Sequence, residues 1–212
     1  RPPRMELSTL AAFVPAALAI VLAPGPDTMY VVTRSLGDGR AAGVVAGCGT
    51  ATGVLLHTAA AVAGLAALLR ASAAAYAVVK YVGAAYLCYL GVRLLLSDES
   101  FDVETAGRTR SLAESYRRAV VINVTNPKVA VFVLAFFPQF VPAAADAPVG
   151  MSILGVVYAG LSLLYLAGVA LFAGRVRTRL LDSSRASRAI RYLSGSVLIG
   201  FGVRLVLDER PV

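Results

Sequence analysis

The chain has 212 residues, 58% of them hydrophobic and 15% charged, with a mean hydropathy of +0.75. Soluble domains carry about 25% charged residues, and the longest polar stretch here, Ser97–Arg118, is too short to bury a core, so a soluble domain of any size is excluded. The net charge of +8 does not point to nucleic acid, because the arginines flank apolar runs instead of forming one basic face.

Six runs are long and apolar enough to read as membrane-spanning helices. They are roughly Leu7–Val32, Ala41–Leu69, Ala74–Leu96, Ala119–Val141, Val149–Ala173 and Ile190–Leu207. The expected fold is therefore an all-α integral membrane protein of six helices. Basic residues gather after the first, third and fifth runs: Arg34 and Arg40; Arg93, Arg108, Arg110, Arg117 and Arg118; Arg175, Arg177, Arg179, Arg185, Arg188 and Arg191. Positive loops stay cytoplasmic, so both termini are expected outside. Ala17-Leu18-Ala19 resembles a signal-peptidase site, but the apolar run continues well past it, and the segment is read as uncleaved.

The first run carries "LAPGPDTMY", Leu22–Tyr30, with two prolines, a glycine and a carboxylate far from its start. Proline has no N–H, so Pro24 strips the helical donor from the Ile20 carbonyl and Pro26 from that of Leu22. Gly25 is expected to let the chain bend. The fourth run repeats the plan 101 positions later: Asn126-Pro127-Lys128 answers Gly25-Pro26-Asp27, and Pro127 frees the Asn123 carbonyl. Asn126 then Pro127 is a favourable helix start, and Gly25 then Pro26 a weaker one. Eight residues separate Pro26 from Arg34 and nine separate Arg118 from Pro127, which puts both breaks roughly 12–14 Å deep, near the bilayer middle.

The third and sixth runs match as well. "KYVGAAYLCYLGVRLLL", Lys80–Leu96, aligns with "RYLSGSVLIGFGVRLVL", Arg191–Leu207, at an offset of 111, with seven of seventeen residues identical and "GVRL" shared. Each half thus has three spans, begins with a proline-broken helix and inserts opposite to the other. The expectation is one transport domain over 1–212, built as inverted repeats of about 7–97 and 110–212, with its site at the paired broken helices.

Helix N-termini attract anions, so Asp27 suits its position, whereas Lys128 needs an anionic partner, either Asp27 or a substrate carboxylate. Asp27 suits a substrate ammonium or a proton equally, and the pair offers both poles of a zwitterion. His57, the single histidine, shares a helical face with Gly49, Gly53 and Gly64, so it is expected to point into protein, as a structural hydrogen-bonder or a proton carrier. Asn123 and Thr125 either line the second break or bond backbone. Tyr30, Phe132 and Phe136 read first as packing. Gly43/Gly47 and Gly49/Gly53 suit helix packing, in a homodimer as readily as within a bundle. Cys48 and Cys88 sit inside spans as small apolar residues. No metal or other cofactor is expected, since the chain has neither a His pair nor a ligand cluster.

Together Pro24-Gly25-Pro26-Asp27, Arg40-x-x-Gly43, Gly49-x-x-x-Gly53-x-x-x-His57, "YVGAAYLCYLG" at Tyr81–Gly91, Asn126-Pro127-Lys128 and "FFPQF" at Phe136–Phe140 resemble the LysE/RhtB family of amino-acid exporters along nearly the whole chain. The resemblance implies a secondary transporter of the bacterial cytoplasmic membrane, not an enzyme, that moves amino acids or close derivatives outward on an ion gradient, protons first among the candidates. The substrate site would comprise Pro24, Gly25, Pro26, Asp27, Asn123, Asn126, Pro127 and Lys128, with Asp27 or His57 carrying the coupling proton. The rival readings are an ion or metal permease of the same fold and a non-transporting scaffold in which Asp27 and Lys128 form a structural ion pair. One acid deep in a span and one histidine argue against the metal.

Overall fold

A computed structural model describes residues 7–23, 25–71, 73–96, 111–141, 147–177 and 184–207. These are helical almost throughout, with no strand among them: α1 (Leu7–Leu22), α2 (Pro26–Gly37), α3 (Arg40–Ala71), α4 (Ala73–Leu96), α5 (Leu112–Val124), α6 (Pro127–Val131), α7 (Ala147–Leu171), α8 (Ala173–Val176) and α9 (Ser184–Leu207). After α6 the chain widens into a π-helical turn, Phe132–Phe136, then tightens into a 3₁₀ turn, Phe137–Phe140.

Both proline breaks appear where the sequence places them. The chain bends by 58° between α1 and α2 and by 54° between α5 and the helical run 127–140. Three single stretches among the described residues are long and apolar enough to cross a bilayer, Arg40–Gly64, Ala77–Leu96 and Ala147–Leu171; each bent pair taken as one span raises the number to five.

The ends differ from expectation in informative ways. The fourth predicted span opens seven residues early, at Leu112, because Ser111 caps it: its hydroxyl accepts the Glu114 N–H at 3.2 Å, a Ser-x-x-Glu start. Arg117 and Arg118 therefore lie on α5 itself, exposed, rather than in a loop. The first span runs on to Gly37, and α2 turns into α3 through Asp38 and Gly39, whose φ of 88° favours glycine. Arg34 is not a loop charge. It is 1% exposed and ion-paired with Asp38 one turn on.

Small residues set the packing. A Cβ on Gly49 would strike the Tyr116 carbonyl, and one on Gly53 would lie 2.5 Å from Asn123 Oδ1, so α3 runs against α5 almost backbone to backbone. Gly43 faces Ser35 and Ala170, and Gly47 faces Leu166. These glycine faces are thus occupied within the chain. α4 and α9 pack antiparallel, and their contacts are reciprocal. A Cβ on Gly91 would meet the Gly195 carbonyl and Ile199, each at 2.6 Å; one on Gly202 would meet the Ala84 carbonyl at 2.8 Å and Cys88. Sliding by 111 converts Gly91, Ala84 and Cys88 into Gly202, Gly195 and Ile199, so each contact maps onto its counterpart.

Beside the breaks lies an aromatic core. Phe13 of α1 stacks on Phe132 and meets Phe137 and Phe140 edge-on, while Phe132 and Phe136 touch Tyr158 of α7 and Phe201 of α9. Tyr30 instead donates its hydroxyl to the Ser115 carbonyl at 3.3 Å. The packing reading of Tyr30, Phe132 and Phe136 is correct. Outward-facing Val78, Val82, Val156, Leu164 and Leu193 are more than half exposed, which suits a surface solvated by lipid.

Candidate functional site

Pro26 and Pro127 stand at the first positions of α2 and α6, where a missing N–H costs nothing. Pro24 lies outside the described residues. Gly25 has φ −155° and ψ −170°, extended backbone open to any residue, so its expected role in bending is not what the position needs. It needs room: a Cβ there would sit 3.3 Å from Lys128 Nζ.

The two breaks hold each other. Asp27 Oδ2 accepts from Asn126 Nδ2 at 2.6 Å, and Oδ1 accepts from Asn123 Nδ2 at 3.1 Å and, at 3.5 Å, from the Thr50 hydroxyl. All four side chains are buried. Asn126 uses both ends of its amide, since its Oδ1 also accepts the Lys128 backbone N–H at 3.1 Å and caps α6 as the sequence predicts.

Lys128 reaches the other way. Its Nζ donates to the Ala23 carbonyl at 2.7 Å and to the Ile20 carbonyl at 3.3 Å. Ile20 is the acceptor that a proline at position 24 leaves without a helical donor. The expected need for an anionic partner is met by carbonyl dipoles at the C-terminal end of α1, which carries partial negative charge. The hydrogen bonds of Lys128 run to these carbonyls rather than to Asp27. The carbonyl freed by Pro127, that of Asn123, accepts from Asn126 N at 2.9 Å and from His57 Nε2 at 3.1 Å. A carbonyl can only accept, so His57 carries its proton on Nε2 here. His57 does point into protein, one layer behind the cavity. Thr125 bonds the backbone, to Val121 O at 2.8 Å.

A small cavity of about 30 Å³ opens beside this junction. Gly25, Asp27, Asn123 and Lys128 form its polar end, and Ile20, Val21, Val54, Val129 and Leu166 its apolar walls. Asn126, Pro26 and Pro127 are not among the residues that line it.

Sequence reasoning missed Thr28, Thr50, Tyr158, Ser162 and Tyr165, which also border the cavity. A signal for three of them is present. In the apolar run of α7, Tyr158, Ser162 and Tyr165 recur at i, i+4 and i+7, a single polar stripe. Among the described residues no three His, Cys, Asp or Glu side chains converge as metal ligands.

A family model for LysE type translocators matches residues 18–209. Proteins named leucine efflux protein from Salmonella choleraesuis, Salmonella paratyphi A and Salmonella typhimurium are each 31% identical to the chain over 195 residues, covering 91% of it and 92% of their own length. No solved structure matches the chain significantly.

Proposed function

We infer the function from two premises together: the chain belongs to the LysE type translocator family, and its two broken helices meet at a buried carboxylate beside a cavity. The protein is a secondary active exporter of amino acids in a bacterial inner membrane, a transporter rather than an enzyme, driven by an ion gradient that we take to be protons. The relatives are named for leucine efflux, and the cavity lining has the chemistry for such a substrate: Asp27, Lys128 and Asn123 at a polar end, the hydroxyls of Thr28, Thr50, Tyr158, Ser162 and Tyr165, and aliphatic side chains elsewhere. A neutral, branched or similarly apolar side chain matches the aliphatic part of this lining, where a second charge would be desolvated at high cost.

The roles follow from the geometry. The charge of Asp27 draws the substrate ammonium to the polar end of the cavity. The substrate carboxylate lies toward the helical run begun by Pro127 and capped by Asn126. Asn123 and Asn126 position Asp27, Gly25 leaves the space, and the prolines hold the breaks open. His57 fixes the second break through the Asn123 carbonyl.

The whole chain forms one transport domain of six spans, α9 being the sixth, arranged as inverted repeats of about 7–97 and 110–212 with both termini outside. The reciprocal Gly91–Gly195 and Gly202–Ala84 contacts support this plan, as do the two bends of nearly equal size. Rocking of the halves about the Asp27 junction would then give alternating access.

The observation that carries the reading is the three-donor clamp on Asp27 at the edge of the cavity. Thermal unfolding of the purified protein tests it. Leucine should raise the melting temperature while lysine and glutamate should not, and Asp27→Asn should abolish the rise. A leucine response unchanged in Asp27→Asn would contradict the assignment.

A further inference from the structure

The broken end of α1 has the chemistry of a seat for a monovalent cation, and the chain fills it from within. Lys128 Nζ stands 2.7 Å from Ala23 O and 3.3 Å from Ile20 O, at carbonyls that face no N–H of their own helix. Gly25 leaves that place clear. The same ammonium borders the cavity next to Asp27. An amino acid brings the same group, –NH₃⁺ with three donors, to the same acceptors. Both oxygens of Asp27 already accept amide donors, and His57 spends its Nε2 proton on Asn123. Lys128 is the group whose charge could change while emptying a place that the substrate can take, since lysine, unlike arginine, can give up its proton in a protein.

Resting on the amino-acid reading above, we propose that the Lys128 ammonium and the substrate ammonium compete for this one seat, and that the coupling proton is the one Lys128 loses and regains. Facing outside, the neutral amine takes a proton from external water; the ammonium settles on the Ile20 and Ala23 carbonyls and excludes substrate. Once the halves have rocked inward, an Nζ–H bond breaks and the proton passes to cytoplasmic water. The uncharged amine yields the carbonyls to the substrate ammonium, which the return stroke carries out. One proton enters for each amino acid that leaves. The titratable groups that share the cavity with Lys128 are Asp27 from α2 and Tyr158 and Tyr165 from α7; the cavity residues of α1, α3 and α6 add none besides Lys128 itself.

The test uses the full chain in proteoliposomes with labelled leucine, comparing accumulation under an imposed pH gradient with leucine–leucine exchange at equal pH on both sides. Wild type should do both, with exchange slowing as the pH falls and the seat fills. Lys128→Ala should lose gradient-driven accumulation, retain exchange and lose its pH dependence, and that exchange should become sensitive to methylammonium, which can now take the seat. Lys128→Arg, with a permanent charge, should do neither. Accumulation by either variant, or absent exchange in a Lys128→Ala protein that melts like wild type, overturns the proposal. If Lys128→Ala does not fold, Lys128→Arg decides alone. If wild type itself moves no leucine, the amino-acid reading has failed instead, and melting curves judge the seat: methylammonium should raise the melting temperature of Lys128→Ala by about 3 °C and leave wild type unmoved, and no rise in the variant overturns it.

Discussion

Asn126 does two jobs with one amide, and substitution can separate them. Asn126→Ala removes both the cap on α6 and the 2.6 Å donor to Asp27. Loss of such a cap costs about 1 kcal/mol, which lowers the melting temperature by about 2–4 °C in a chain of this size. Asn126→Asp keeps the cap acceptor but sets a second carboxylate against Asp27. We therefore expect Asn126→Asp to transport less than Asn126→Ala while melting no lower, as parallel melting curves and leucine uptake would measure. At Gly25 the backbone is extended, so alanine strains nothing there, yet its methyl presses on Lys128 Nζ. Gly25→Ala should keep the fold and lose much of the transport rate; uptake equal to wild type would remove the steric role assigned to this glycine. Which carbonyl an ammonium reaches is a tertiary matter. That is why Pro24, Pro26 and Pro127 announce the broken helices from sequence, yet the seat of Lys128 at Ala23 could not be read there. The Arg34–Asp38 pair, by contrast, is legible in the sequence as an i,i+4 pair, although an arginine that flanks an apolar run has the same signature on a helix as in a loop.

At the scale of elements, glycine is required where two backbones approach and is replaceable where none does. Gly202 and Gly200 are neighbours on α9 with opposite surroundings. A Cβ at Gly202 would meet Cys88 and, at 2.8 Å, the backbone carbonyl of Ala84, whereas at Gly200 nothing lies within 4 Å. Overpacking a fitted contact costs about 1–3 kcal/mol. Gly202→Ala should therefore destabilise clearly and Gly200→Ala hardly at all, as thermal melting in detergent would measure. Cys88→Ala should rescue Gly202→Ala only in part, because the Ala84 carbonyl cannot move away. Helix type and approximate extent were legible from apolar runs alone, since a bilayer demands them. The early start of α5 was legible too, in Ser111-x-x-Glu114, but the apolar count masked it. The π turn at Phe132–Phe136 was not legible, because aromatic packing against Phe13, Tyr158 and Phe201 sets that local pitch, and those partners come from three other helices.

Over the whole molecule, two halves with little in common by letter are tied by reciprocal features. The carboxylate of the first break is held by amides of the second, and the ammonium of the second by carbonyls of the first. Such a junction couples the halves wherever they move, because neither break can shift without exposing a polar group of the other in apolar surroundings. The inverted plan proposed above would place both termini outside, so a reporter fused to the C-terminus should be active in the periplasm and silent in the cytoplasm; the opposite pattern would contradict the proposed topology.

That Asp27 secures the substrate of a gradient-driven exporter is tested most directly by uptake of a panel of labelled amino acids into proteoliposomes, with and without a pH gradient, for wild type and Asp27→Asn. Leucine and similar apolar amino acids should accumulate in wild type only with the gradient, and the folded variant should accumulate none. Equal, gradient-driven transport by Asp27→Asn would contradict it.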